Sequence, residues 1–174
     1  MPILLALVIV AILLIVIIAG VPNDFAVCRS AKISAPPEKI FPHVNDLHKW
    51  DDWSPWAKLD PNAKHIFAGT PAGPGSIMSW DGNKKIGAGR MTITENRPND
   101  YIRFKLEFFR PFAGTNAAEF RFEPDGPQTH VKWTMTGKTN GAMKIFGLFM
   151  NCDDMVGRDF EKGLASLKTV VENS

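Results

Sequence analysis

Between His65 and Gly137 the chain repeatedly alternates apolar and polar side chains with a period of two. Met78 and Trp80 share a face in IMSW, and Met91 and Ile93 share one in RMTIT. Ile102, Phe104, Leu106 and Phe108 oppose Arg103, Lys105 and Glu107; Ala118, Phe120 and Phe122 oppose Glu119, Arg121 and Glu123; Val131, Trp133 and Met135 oppose His130, Lys132 and Thr134. This pattern predicts about six antiparallel strands, dry on one face and wet on the other. The turn-forming stretches GTPAGPG, DGNKK, RPND and EPDGPQ separate them. An earlier strand is predicted in FAVCRSAKISA, where Phe25, Val27, Ala31 and Ile33 stand against Arg29 and Lys32. Its phase shifts around Cys28 to Ser30, which reads as a bulge or twist.

Two regions switch to helical spacing. In APPEKIFPHVND, Pro36 and Pro37 mark a helix start, Ile40, Phe41 and Val44 form its apolar face, and Asn45 and Asp46 end it and cap a second short helix. That second helix holds Trp50 and Trp53 on one face, with Trp56 beyond Pro55. These rings are expected to wedge the short helices against the mouth of the sheet. Near the C-terminus, Phe149, Val156, Phe160, Leu164, Leu167 and Val171 recur at steps of three, four and seven. They mark a long amphipathic helix, for which the dry face of the sheet is the available partner.

The first 22 residues follow neither pattern. From Ile3 to Ala19 no side chain is polar; at 1.5 Å per residue the run spans roughly 26 Å, close to a bilayer core. It has no basic residue before it and no small-x-small cleavage site, so a single-pass anchor over residues 3–21 is expected in preference to a cleaved signal peptide. Arg29, Lys32 and Lys39 follow the run, which places the remaining domain on the cytoplasmic side of the cell membrane. The expected organisation is an anchor over 1–22 and one domain over 23–174.

Twenty basic and 18 acidic residues are interspersed, for a net charge of +2. No one-sided basic face is present for a phosphate backbone, so nucleic acid is not expected as a partner; no protein partner is legible. Cys28 and Cys152 share no CxxC spacing and read as two thiols, or as a disulfide if the domain faces an oxidising compartment.

Catalytic motifs are missing. His43, His48, His65 and His130 make neither HxH nor HExxH, so no metal is expected, and no cofactor motif is found. There is no GxSxG elbow. The glycines of AGPGS and GNKKIGAGR lie between strands and read as turn glycines rather than a phosphate loop. Asp153 and Asp154 fall at the start of the last helix, where acids complement the helix dipole.

ISAPPEKIFPHVNDLHKWDDWSPW, GPGSIMSWDG and VGRDFEKGLASLK together resemble the START-like, or SRPBCC, superfamily, and within it the bacterial polyketide cyclase/dehydrase and lipid-transport type. The resemblance covers residues 25 to 172. It implies an α+β helix-grip fold: a curved antiparallel sheet of about seven strands around the long C-terminal helix, enclosing an apolar cavity. On that reading Trp53, Trp56, Met78, Trp80, Met91, Phe104, Phe120, Trp133, Met135, Phe149 and Phe160 are the candidate ligand-binding residues, and the ligand is a hydrophobic small molecule or lipid. The dry phases read as free of ionisable groups, which favours a binder over an enzyme. A cyclase or dehydratase needs an acid or base facing the cavity, for which Asp81, Glu107 and His65 are the candidates. A regulatory scaffold with a vestigial pocket is the third reading.

Overall fold

A computed structural model describes residues 20, 24–138 and 152–174 of the chain. The expected span over residues 3–21 lies almost wholly outside them; among the described residues no helix is long and apolar enough to cross a membrane.

Among the described residues seven strands form one antiparallel sheet: β1 (Asp24–Ile33), β2 (Lys64–Gly69), β3 (Ser76–Asp81), β4 (Ala88–Arg97), β5 (Tyr101–Arg110), β6 (Gly114–Asp125) and β7 (Gln128–Lys138). Their order is β1-β7-β6-β5-β4-β3-β2, so six strands meander and β1 joins the far edge. Between β1 and β2 lie α1 (Pro37–Asn45), a 3-10 turn (Leu47–Lys49) and α2 (Trp50–Trp53); α3 (Cys152–Glu172) ends the chain.

Pro37 sits in the first turn of α1, where its missing N–H costs nothing. The Asp46 carboxylate accepts from the His48 amide and starts the 3-10 turn. Trp50 and Trp53 donate their indole N–H groups to the Val44 and His43 carbonyls at 3.0 Å, satisfying orphan carbonyls at the end of α1. The short helices are thus tied together by the same rings they bury.

The inward phases predicted for β3 to β7 hold. Register places their side chains in rows across the concave face: Met78–Met91–Leu106–Asn116–Gly137–Phe25, then Ile93–Phe104–Ala118–Met135–Val27, then Asn96–Ile102–Phe120–Trp133–Arg29. A bulge after Ile93 resets β4, so that Asn96 opposes Ile102 and donates to Asn45 Oδ1 at 2.7 Å, pinning the end of α1. From α3, Phe160, Leu164, Leu167 and Val171 are buried against this face.

β1 differs from expectation. It pairs with β7 without interruption from Asp24 to Ile33, so no bulge shifts its phase and Arg29 lies on the inward face. Its guanidinium reaches over α3: Nε donates to Glu161 Oε1 at 2.8 Å and Nη2 to Asp153 Oδ2 at 3.1 Å. These two acids push the Arg29 pKa up, hydrogen bonding to Asp153 first. Gly157 makes room, since a Cβ there would lie 2.0 Å from Nη2. Asp153 therefore serves the Arg29 clamp as well as the helix dipole.

At the other end of α3, Glu172 accepts from the Ser34 amide at 2.6 Å and pairs with Lys168 at 3.1 Å. The amide first, then Lys168, holds its carboxyl below the ordinary range. A depressed native pKa contributes stability that is complete above the ordinary carboxylate range and is lost as pH falls through the native value. Glu172→Gln should therefore reduce stability at neutral pH and flatten its decline on acidification, read from urea midpoints between neutral pH and pH about 3.

Candidate functional site

The inward rows change character along the strands. At the end where β1 closes against α3, Ile33, Val131, Phe122, Ile102, Leu164 and Leu167 are fully buried. At the end where β1 begins, Phe25, Leu106, Asn116, Trp80 and Phe108 are only partly buried. Trp80, Gly89, Phe108 and Gly114 form the outermost row there. The grip is packed solid at one end and half-open at the other.

The sequence-predicted residues divide accordingly. Trp53, Phe104, Phe120, Trp133 and Phe160 form one aromatic block with Trp50: Trp133 stacks on Phe160 at 3.8 Å and 5° and on Phe120 at 4.8 Å, and Trp50 and Trp53 meet Phe120 edge-on. Trp56 is half-buried against Trp133 and Phe160. The Trp50 and Trp53 rings thus fill the middle of the sheet rather than its rim. Met78, Met91 and Met135 are buried in the two rows behind the opening, and Trp80 stands in the outermost row. Phe149 lies outside the described residues.

Asn116 was not anticipated. Extending the AAEFRF alternation back two positions puts it on the inward phase, where the sequence signal was available. Its Nδ2 lies 3.9 Å from Met135 Sδ. Its amide lies over Gly137, where a Cβ would come within 2.1 Å of Oδ1 and 2.8 Å of the Phe25 ring. A neutral amide among Phe25, Met135 and Leu106 can orient one polar group of an otherwise apolar ligand.

Ionisable groups are not confined to the wet face. His65 pairs with Trp80 across β2 and β3 and so shares its inward phase; its Nδ1 lies 3.2 Å from Asp51 Oδ1 of α2. Phe67 lies beside it, stacked on His48 at 4.1 Å. Glu107 and Asp81 take the outer phase. Lys105 first and then Arg90 hold the Glu107 carboxyl below its ordinary range, and Asp81 pairs with Arg110. His43 is pushed down mainly by burial and then by Lys49. Its Nδ1 and the Trp133 Nε1 are the buried side-chain atoms without a hydrogen-bond partner among the described residues. No metal-ligating cluster occurs among the described residues.

A second concavity, about 800 Å³, lies on the outer face of the sheet. There Ala26, Thr136 and Ala117 form a row of small side chains flanked by Lys105, Arg103 and Lys138.

The family described as polyketide cyclase/dehydrase and lipid transport matches residues 24–172. The chain belongs to this family. A comparison with the curated proteins finds no match. Solved structures share the fold of this polyketide cyclase/dehydrase and lipid-transport domain at low identity. A protein from Rhizobium leguminosarum superposes with a TM-score of 0.65 at 13% identity, covering 87% of this chain and 97% of that one. A protein from Mesorhizobium loti gives 0.63 at 15%, covering 86% and 98%. The di-domain ARO/CYC StfQ from the steffimycin biosynthetic pathway gives 0.62 at 10%, covering 87% of this chain and 51% of that one. The helix-grip architecture expected from the sequence is therefore the fold of this family member.

Proposed function

We propose that the protein is a membrane-tethered binder of a hydrophobic small molecule or lipid, anchored by residues 3–21 with its domain on the cytoplasmic side. The observation that carries this reading is the gradient of packing along the inward face. An inward apolar row of a sheet is ordinarily packed against the layer that covers it, yet here Phe25, Leu106 and Phe108 stay half-exposed around Asn116 while the opposite end is closed. Family membership supports the reading, because the family's description joins cyclase/dehydrase and lipid-transport members.

Mass spectrometry of organic extracts from the purified full chain is expected to identify a copurified apolar molecule. Leu106→Trp, which fills the opening, should remove it while the thermal transition is retained. An extract empty of such molecules, together with no binding of a hydrophobic fluorescent probe, would sink the proposal.

The His65–Asp51 pair favours a second reading, an enzyme acting on the same kind of ligand. A carboxylate beside an imidazole on the inward phase is a general-base arrangement. If His65→Gln leaves ligand binding intact but abolishes conversion of the bound molecule, the enzyme reading displaces the first.

A further inference from the structure

We infer that the rim around the open end of the grip docks onto the lipid bilayer itself, so that the opening faces lipid rather than water. The inference rests on the anchor reading above and on where the exposed apolar side chains lie.

Among the described residues five large hydrophobic side chains are exposed: Leu59 (40%), Ile66 (67%), Phe109 (52%), Phe112 (46%) and Met155 (47%). Four of them belong to segments at the open end. Phe109 ends β5 and Phe112 follows in the β5–β6 turn, next to the outermost row that Phe108 and Gly114 share. Leu59 sits in a loop tied to the β3–β4 turn, where Asn83 donates its side-chain amide to the Leu59 carbonyl at 3.2 Å and its backbone amide to Asp60 at 2.7 Å. Met155 is in the first turn of α3, whose last turn is bonded to Ser34 at the closed end. Turns at the closed end present Ser34, Arg97, Asn99, Asp100, Asp125 and Gln128, with no large exposed apolar side chain among them. Isolated exposed apolar residues are ordinary; a set gathered on one end marks an interaction surface.

The chain outside the structure says what covers it. The apolar run ends at Ala19 and β1 begins at Asp24, at this same end. Five Cα steps reach at most roughly 18 Å when fully extended, and the headgroup layer takes up about 5–7 Å of that distance. With residues 3–19 in the hydrocarbon, the start of β1 lies at most roughly 11–13 Å beyond the headgroup layer, so the open end of the domain is kept beside the bilayer surface. Charges of both signs gather at this end: Lys58, Lys64, Lys84, Lys85, Arg110 and Lys138 stand against Asp24, Asp60, Asp81 and Asp154, with Arg110 paired to Asp81 and Asp153 taken up by Arg29. The docking is apolar, and it should persist in salt.

The test uses the full chain in phosphatidylcholine vesicles, with Cys28→Ser and Cys152→Ser in the background. An environment-sensitive fluorophore is attached at L59C, F109C or F112C, and at N173C and I66C as controls at the closed end and the edge strand. Nitroxide-labelled lipid is expected to quench the first three severalfold more than the controls, with no loss in high salt. Equal quenching at all five positions in a chain that resists carbonate extraction overturns the docking and leaves the anchor standing. Release of the chain by carbonate overturns the anchor and the docking with it. Stronger quenching at Ile66 than at Phe109 and Phe112 overturns the docking by placing the edge strand on the membrane instead.

Discussion

Trp133→Ala and Phe160→Ala are each expected to destabilise the domain by about 3–5 kcal/mol, the range for emptying a large aromatic site in a packed core. Both rings are buried, and they stack face to face at 3.8 Å and 5°, with Phe120 on the other side of Trp133. Because they share one contact, the double variant should lose less than the sum of the singles, by roughly 0.5–1.5 kcal/mol. Trp133→Phe separates ring from indole. Nε1 has no hydrogen-bond partner among the described residues, and an unpaired buried donor costs about 1–3 kcal/mol. Removing it offsets part of the lost volume, so this variant should fall well short of the alanine loss. Urea unfolding monitored by circular dichroism gives all four values. A loss under about 1 kcal/mol for both alanine variants would mean that this part of the interior is a cavity wall rather than packed core.

Gly89→Ala is the second large effect, and it acts by overfilling. A Cβ on Gly89 would lie 2.4 Å from Trp80 Cζ2 and 2.6 Å from the Glu107 carbonyl oxygen. The carbonyl belongs to the β4–β5 ladder and cannot retreat without parting the strands. The indole is held by its bond to the Ile86 carbonyl at 3.2 Å and by edge contact with Phe108 at 5.9 Å. Overpacking of this kind costs typically about 1–3 kcal/mol, occasionally more, and here it should also swing Trp80 away from the opening. The expected readouts are a lower melting temperature and weaker binding of a hydrophobic probe. Gly157→Ala provides the contrast. The three atoms nearest its Cβ all belong to the Arg29 guanidinium, the far end of a flexible side chain, so the clamp to Asp153 and Glu161 should break at a smaller stability loss. Equal losses at the two glycines would contradict this distinction.

What was legible in the sequence follows from how each element signals. β5, β6 and β7 alternate cleanly because one face meets α3 and the aromatic block while the other carries charges paired across strands, such as Arg103 with Glu119. Period two then fixes the phase without further information. β1 was misread because Arg29 is charged yet inward. What compensates it, two acids and a glycine on α3, lies more than a hundred residues away and leaves no local trace. His65 is a candidate base by residue type, but its inward phase leaves no local signal for a related reason: it comes from register with Trp80, and the partner is Asp51 of α2. The bulge that turns Asn96 inward has no composition signal in TITENR. Phase alone puts most of the hydrophobic candidates on the inward side, but it cannot separate Phe104 in the sealed middle from Phe108 at the open end. That difference comes from how far α3 and the short helices extend over the sheet.

The strand order has a consequence for how the chain is made. β1 is the first strand to leave the ribosome, and its partner β7 is the last of the seven. Until β7 and α3 exist, β1 is an unpaired edge carrying an exposed guanidinium, the kind of surface that recruits foreign strands. Pairings between distant segments close slowly, because chain entropy opposes them until late. If residues 3–21 are the proposed anchor and are captured by the membrane early, this nascent edge is held apart from sibling chains while the six-strand meander assembles. Acquisition of β1 would then be the final, rate-setting event of biogenesis.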